Sequence, residues 1–245
     1  MTELTLVSWN IRAGLGRDFR RRPMRTVDAI TGFDADVVLL QEADFRRHPR
    51  PAALPSPQGR IGPYEVIDLT PTGVGLGWHG IAMLKKPGIR IEAIHRHDLP
   101  ALEPRGAVIV DMTVRDRAVR IVGIHLGLLR GNRRKQLAFI AARLSDLDHR
   151  PTIIAGDYNE WRDRLGLEAV PDWLRLHSPG PTFPAGRPFL HLDRLAHSHD
   201  IELLDSAVIG DPNAVNASDH RPVRGRFRLL AAPDPKERPG DAASA

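Results

Sequence analysis

The chain contains no cysteine. That excludes disulfides, thiol nucleophiles and Cys-ligated zinc together, and leaves Asp, Glu, Asn, His and water as donors for any metal. Such donors suit a hard cation, Mg²⁺ or Mn²⁺. No run of 18 or more apolar residues occurs, so no segment reads as a membrane-crossing helix. Lysine is scarce, standing only at Lys85, Lys86, Lys135 and Lys236. The formal net charge of +5 at pH 7 is therefore carried by arginine, whose planar fork meets phosphate with two parallel hydrogen bonds. A basic surface concentrates anionic partners such as nucleic acids, phosphoinositides or acidic lipids, although biased genomic base composition also inflates arginine. The start of the chain lacks a basic segment, a long apolar stretch and a small-residue cleavage site. Met1 to Trp9 reads as a strand, and the protein is expected to begin here and to stay in the cytoplasm.

At 245 residues, 42% hydrophobic and 27% charged, the composition is that of an ordinary globular domain. One domain over 1–230 is expected, followed by a disordered tail over 231–245, which is rich in Ala, Pro, Asp and Gly. Arg46 to Arg60, with Pro49, Pro51, Pro55 and Pro57, reads as a surface loop. Short apolar runs predict strands at Leu4–Trp9, Val37–Leu40, Tyr64–Leu69, Ile81–Leu84, Ile89–Ile94, Ala107–Val114, Val119–Ile124, Thr152–Ala155, Leu192–Ala196, Ile201–Val208 and Val223–Leu229. One helix is expected from Pro23, a good first-turn residue, to about Gly32. A second is expected from Asn132 to Leu147, where Leu137, Ile140, Ala141, Leu144 and Leu147 recur at helical spacing. A weaker one follows Arg164. So many strands with so few helices fit two sheets packed face to face with helices outside, an α/β (α+β) sandwich, better than a doubly wound sheet.

Polar residues recur where the apolar runs end. Leu4–Trp9 ends in Asn10, Val37–Leu40 in Gln41-Glu42, Val119–Ile124 in His125, and Thr152–Ala155 in Gly156-Asp157-Tyr158-Asn159. Asp193 follows Leu192, and Ser218-Asp219-His220 precedes the last strand. Each residue alone has a bland reading: a turn former, a solvated rim charge or a hydrogen-bonded structural histidine. Repetition at one structural place favours a shared pocket.

The ordered set Ser8-Trp9-Asn10, Leu40-Gln41-Glu42, His79-Gly80-Ile81-Ala82, Glu103-Pro104-Arg105-Gly106, His125-Leu126, Gly156-Asp157-Tyr158-Asn159, Leu192-Asp193-Arg194 and Ser218-Asp219-His220-Arg221-Pro222 resembles the endonuclease/exonuclease/phosphatase, or DNase I-like, superfamily. The resemblance implies a four-layer α/β/β/α sandwich with two mixed sheets. It implies Asn10, Glu42 and Asp219 as ligands of Mg²⁺ (or Mn²⁺), Asp157 as the base that deprotonates water, and Asn159 as its positioning partner. His125 and His220 become phosphate-binding groups, Asp193 the carboxylate that orients His220, and His79 and Arg105 substrate contacts. Attack on a phosphodiester develops charge on oxygen that a cation and donors stabilise, while a base takes the proton from water. Ile81 departs from the Asn common at that place, which removes a substrate-side hydrogen bond. The stretches typical of abasic-site nucleases, Tyr-x-Pro-Asn-Gly and Trp-Arg-x-Asp-Tyr, are absent.

Several features carry two readings. Glu103 is a candidate to orient His125. Arg17, Arg20, Arg21 and Arg22 cluster after Asn10. Arg130, Arg133, Arg134 and Lys135 cluster at a helix start, where cations oppose the macrodipole and imply a bound anion, unless they form a solvated basic face. Trp78 and Trp161 either stack on a base or headgroup or fill the core. The resulting expectation is a Mg²⁺-dependent phosphodiester hydrolase acting on nucleic acid. A phospholipid or phosphoinositide hydrolase of the same fold, and a catalytically silent binding module, are the alternatives.

Overall fold

The computed structural model describes residues 2–46, 50–70, 73–100, 103–162 and 167–230. The expected tail and the start of the helix after Arg164 lie outside the described residues; 167–173 form turns. One sheet holds β1 (Thr2–Asn10), β2 (Val37–Gln41), β3 (Arg60–Ile61), β4 (Tyr64–Val66), β5 (Ala82–Lys85), β12 (Ile201–Val208) and β13 (Val223–Leu229), in the order β12-β13-β1-β2-β5-β4-β3. The other holds β6 (Arg90–Leu99), β7 (Arg105–Val114), β8 (Arg117–His125), β9 (Thr152–Asp157), β10 (Leu174–His177) and β11 (Asp193–Ser198), in the order β10-β11-β9-β8-β7-β6.

Side-chain alternation assigns the layers. Leu4, Leu6, Val37, Leu39, Met83, Val108, Val110, Ile121, Ile153, Leu195 and Phe227 interlock between the sheets. On the outer face of the first sheet, Val7, Trp9, Val38 and Leu40 pack against α1 (Pro23–Thr31) and α3 (Pro212–Ala217). On the outer face of the second, Ile109, Val122, Ile124 and Ile154 pack against Leu137, Ile140 and Leu144 of α2 (Arg130–Ser145). The result is the four-layer sandwich. Among the described residues no helix is long and apolar enough to cross a membrane.

Most expected elements are present. The Tyr64 strand ends at Val66, and α2 begins two residues before Asn132. Leu174–His177 and α3 were not among the expected elements, although Asp211 caps α3 by accepting the amides of Asn213 and Ala214 ahead of a Pro at the first turn.

The same alternation aims the polar strand ends. Asn10 shares a face with Leu4 and Leu6, His125 with Ile121, Asp157 with Ile153 and Ala155, and Asp193 with Leu195. These residues therefore point between the sheets, and they leave the apolar layer at one rim. Register aligns them: His125 pairs with Asp157, Asp157 with Asp193, and Asn10 with Gln41. Gly156 sits inside β9 immediately before Asp157. Its φ is +153°, and a Cβ there would collide with the carbonyl of Ile124. Gly156→Ala is expected to lower unfolding free energy by about 3 kcal/mol. Urea denaturation with an unchanged m-value checks this; a loss under about 0.5 kcal/mol would show that the strand tolerates a side chain there.

Candidate active site

Asp157 is the centre of the rim. It is 1% exposed. Its Oδ1 accepts the backbone amide of Asn159 at 2.8 Å, and its Oδ2 accepts the Asn10 side-chain amide at 3.1 Å. His125 Nε2 stands 3.4 Å and His220 Nε2 3.9 Å from the same Oδ2. The other nitrogen of His220, Nδ1, lies 2.9 Å from Asp193 Oδ2, which also accepts the Thr182 hydroxyl at 2.5 Å. Two carboxylates therefore flank one imidazole.

Burial and neighbours set the charges. Burial lowers the basicity of His220, but the carboxylates of Asp193 and Asp157 overcome this and raise its pKa from 6.5 to about 10. His125 goes the other way. Burial, then the charges of Arg105 and His220, hold it well below the usual histidine range. The Arg105 guanidinium lies 3.0 Å from both of its ring nitrogens. Burial raises Asp157 from 3.8 to about 6, against the pull of His220. At neutral pH the site thus pairs a cationic histidine with a neutral one across a desolvated carboxylate.

Of the expected metal ligands, Glu42 and Asp219 lie toward solvent and Asn10 is buried. The Glu42 side chain is 25% exposed and meets Arg46 at 3.2 Å; Asp219 is 26% exposed and meets Arg12 at 3.1 Å. Asn10 Oδ1 accepts the backbone amide of Arg12 at 3.1 Å. Asp157, Asp193 and His220 bring one donor atom each within 4.8 Å of one another, as a cation would require. That cluster, however, already holds its own cation, the protonated His220, so a metal there would first have to displace a proton. The oxygen donors Asn10, Glu42 and Asp219 are of the type a hard cation takes, and the arginines paired with the two carboxylates, Arg46 and Arg12, are themselves partly exposed.

Three expected site residues, Glu42, His79 and Asn159, take positive φ (54°, 50° and 51°), a conformation that non-glycine residues rarely adopt and that clusters at functional sites. Asn159 donates its side-chain amide to the Leu126 carbonyl at 2.9 Å, tying the His125 loop to the Asp157 loop. The Nε2 of His79 lies 2.6 Å from Asp98 Oδ1. Arg105 is buried against His125, and Glu103 reaches that histidine only through Arg105, at 3.1 Å. Ile81 lies in the inter-sheet core, and Trp78 packs against that core.

Some supports carry no signal in the sequence. Thr182 is one. Another is the buried pair of Arg133 and Glu160. Arg133 also donates to the carbonyls of Gly127 and Leu128, and Gln136 accepts the Gly127 amide at 2.8 Å. This corrects the reading of the basic cluster: Arg133 is a buried clamp, and Arg130 and Arg134 face Glu168. Burial of an arginine at the first turn of a helix requires the carboxylate of a residue 27 positions away, which no local pattern reveals. Trp161, for which the core was the usual fate, is 55% exposed.

The sequence profile of the endonuclease/exonuclease/phosphatase family matches residues 7–220. The chain belongs to that family. It is 30% identical over 173 residues to the uncharacterized protein YbhP of Escherichia coli (strain K12), a match covering 62% of this chain and 64% of that one, so this chain spans less than two thirds of that relative. Its fold resembles a family protein from Bacteroides thetaiotaomicron (TM-score 0.75, 17% identity, 92% of this chain and 97% of that one). It also resembles D. rerio TDP2 complexed with a single-strand DNA product (TM-score 0.73, 16% identity, 93% and 100%).

The charge assignment is testable in metal-free protein. His220, with a folded pKa raised above its unfolded value, contributes stability that is full below about 6.5 and is lost as pH rises through about 10. NMR titration should find one histidine still protonated at pH 9, lost in His220→Ala and shifted down by at least about one unit in Asp193→Asn. A His220 that titrates near 6.5 in both proteins would contradict the assignment.

Proposed function

We propose that this chain is a Mg²⁺-dependent phosphodiester hydrolase, with Mn²⁺ as a competent substitute, in which water attacks phosphorus directly without a covalent enzyme intermediate. The observation that carries the reading is the Asp157 carboxylate, desolvated at one rim between a cationic and a neutral histidine.

Asp157 accepts the proton of the attacking water. Its raised pKa keeps the conjugate acid accessible near neutrality, as general-base work requires. The amide groups of Asn159 and Asn10 fix its two oxygens, so each proton-accepting lone pair has a set direction. His220, protonated on both nitrogens, turns its Nε2–H toward the pocket and neutralises a phosphoryl oxygen. Asp193 and Thr182 hold the ring from behind. His125 is a neutral hydrogen-bonding group at the same oxygens. Arg105 acts on substrate through His125, as a positioning residue, and His79 stands at the substrate side. Asn10, Glu42 and Asp219 would hold the cation, which when bound would supply Lewis-acid stabilisation of the charge developing on oxygen.

Two substrate classes suit the site. Nucleic acid is supported by the net positive charge and by the DNA complex of the D. rerio neighbour. A phospholipid headgroup is supported by large apolar side chains exposed on the loops of the rim.

Bis-p-nitrophenyl phosphate tests the chemistry apart from the substrate class. Asp157→Asn, His220→Ala and Glu42→Ala should each lower Mg²⁺-dependent turnover by about 10²–10⁴-fold, and chelation should abolish it. Asp157→Asn should in addition keep or raise thermal stability, because it removes a charge that burial disfavours. Wild-type turnover in all three variants, or none in the wild type, would overturn the reading.

A further inference from the structure

Nine large hydrophobic side chains among the described residues are exposed: Phe19, Met24, Val74, Leu128, Leu129, Trp161, Trp173, Phe189 and Leu230. Isolated exposed apolar residues need no explanation; their grouping does. Five of the nine stand on the four loops that leave the catalytic rim. Phe19 (75% exposed) follows β1, and its ring lies under Arg12, which pairs with Asp219. Leu128 and Leu129 (62% each) follow β8, just past the Leu126 carbonyl held by Asn159. Trp161 (55%) stands two residues beyond Asn159. Phe189 (68%) lies on the loop before β11, where Phe183 packs on the His220 ring at 5.1 Å and the Ala185 amide donates to the Asp219 carbonyl.

Arginines interleave with these residues. Arg17, Arg20 and Arg21 surround Phe19, Arg130 follows Leu129, Arg162 follows Trp161, and Arg187 precedes Phe189; all six are exposed. Of the acids on the same loops, Asp18 is engaged by Arg25 and the buried Glu160 by Arg133; Glu168 pairs with Arg130, which leaves Arg17, Arg20, Arg21, Arg162 and Arg187 as the cations of the mouth, with Asp172 exposed at the far end of the loop after β9. The mouth is thus ringed by apolar tips set among cations. That composition matches a surface with an apolar interior and anionic headgroups, where Trp, Phe and Leu enter the interface and arginines meet phosphate. The adjacent leucines favour this over stacked bases, because they offer no π-face to a base.

We infer that the catalytic rim docks on an anionic phospholipid bilayer through Phe19, Leu128, Leu129, Trp161 and Phe189, so that the mouth opens onto the headgroup layer. The docking is independent of turnover; the consequence that a membrane-borne phosphodiester is the substrate rests on the hydrolase reading above.

Sedimentation with vesicles of phosphatidylcholine containing phosphatidylglycerol, with pure phosphatidylcholine vesicles and with a single-stranded oligonucleotide, tests the inference. The full-length protein should partition at least tenfold more onto the anionic vesicles than onto the neutral ones. Leu128→Ser with Leu129→Ser, and separately Phe189→Ser, should each weaken that binding on the order of tenfold, while turnover of bis-p-nitrophenyl phosphate stays at the wild-type level. The inference is overturned if the wild type ignores anionic vesicles or if the variants sediment as the wild type does. It is also overturned if the substitutions reduce oligonucleotide binding in place of vesicle binding. Vesicle binding without any turnover would keep the docking surface and remove the hydrolase reading.

Discussion

The Asp157 carboxylate is withdrawn from water, yet no partner neutralises it directly. A direct salt bridge would have lowered its pKa and locked it as a structural ion. Instead the cation that faces it, His220, stands 3.9 Å away and is drawn to a second carboxylate, Asp193, at 2.9 Å. Nearer to it, Asn10 donates a hydrogen bond and the neutral His125 stands 3.4 Å away, and neither cancels its charge. The desolvation that makes the folded state pay for Asp157 is the same physical term that brings its proton affinity toward neutrality.

This arrangement needs the sandwich. Side chains from β1, β8, β9 and β11 meet only because each strand runs an apolar face into the inter-sheet core and ends in a polar residue of the same parity. The two parallel pairs, β1 with β2 and β8 with β9, bring strand ends to one rim, and antiparallel β11 begins where β9 stops. The outer helices contribute at a distance. Through Arg133 and Gln136, α2 secures the loop that carries the Leu126 carbonyl, and hence Asn159. Arg133 and Gln136 lie on the same buried face of α2 as Leu137, Ile140 and Leu144, so one helix face both packs on the sheet and holds the loop at the rim.

Much of this was legible in the sequence, because the signals are local and periodic. Alternation in Leu4–Asn10 and Thr152–Asp157 tells both that a strand forms and which face its last residue joins. The order of the motifs carries the family. What was not legible depends on distant partners. The cluster Arg130, Arg133, Arg134 reads as an anion site or a solvated basic face until Glu160 and Glu168 fold against it. Arg105 reads as a free phosphate ligand until His125 and Glu103 enclose it. Burial lowers both histidines; the carboxylates of Asp193 and Asp157 overcome it at His220, whereas the Arg105 guanidinium pushes His125 further down.

The central division of labour assigns proton handling to Asp157, His220 and Asp193 and cation holding to Asn10, Glu42 and Asp219. Anomalous diffraction from a Mn²⁺-soaked crystal tests it most directly. The account predicts a single strong peak coordinated by the Glu42 carboxylate, with His220 still bonded to Asp193. A peak coordinated by Asp157, Asp193 and His220 together would contradict it.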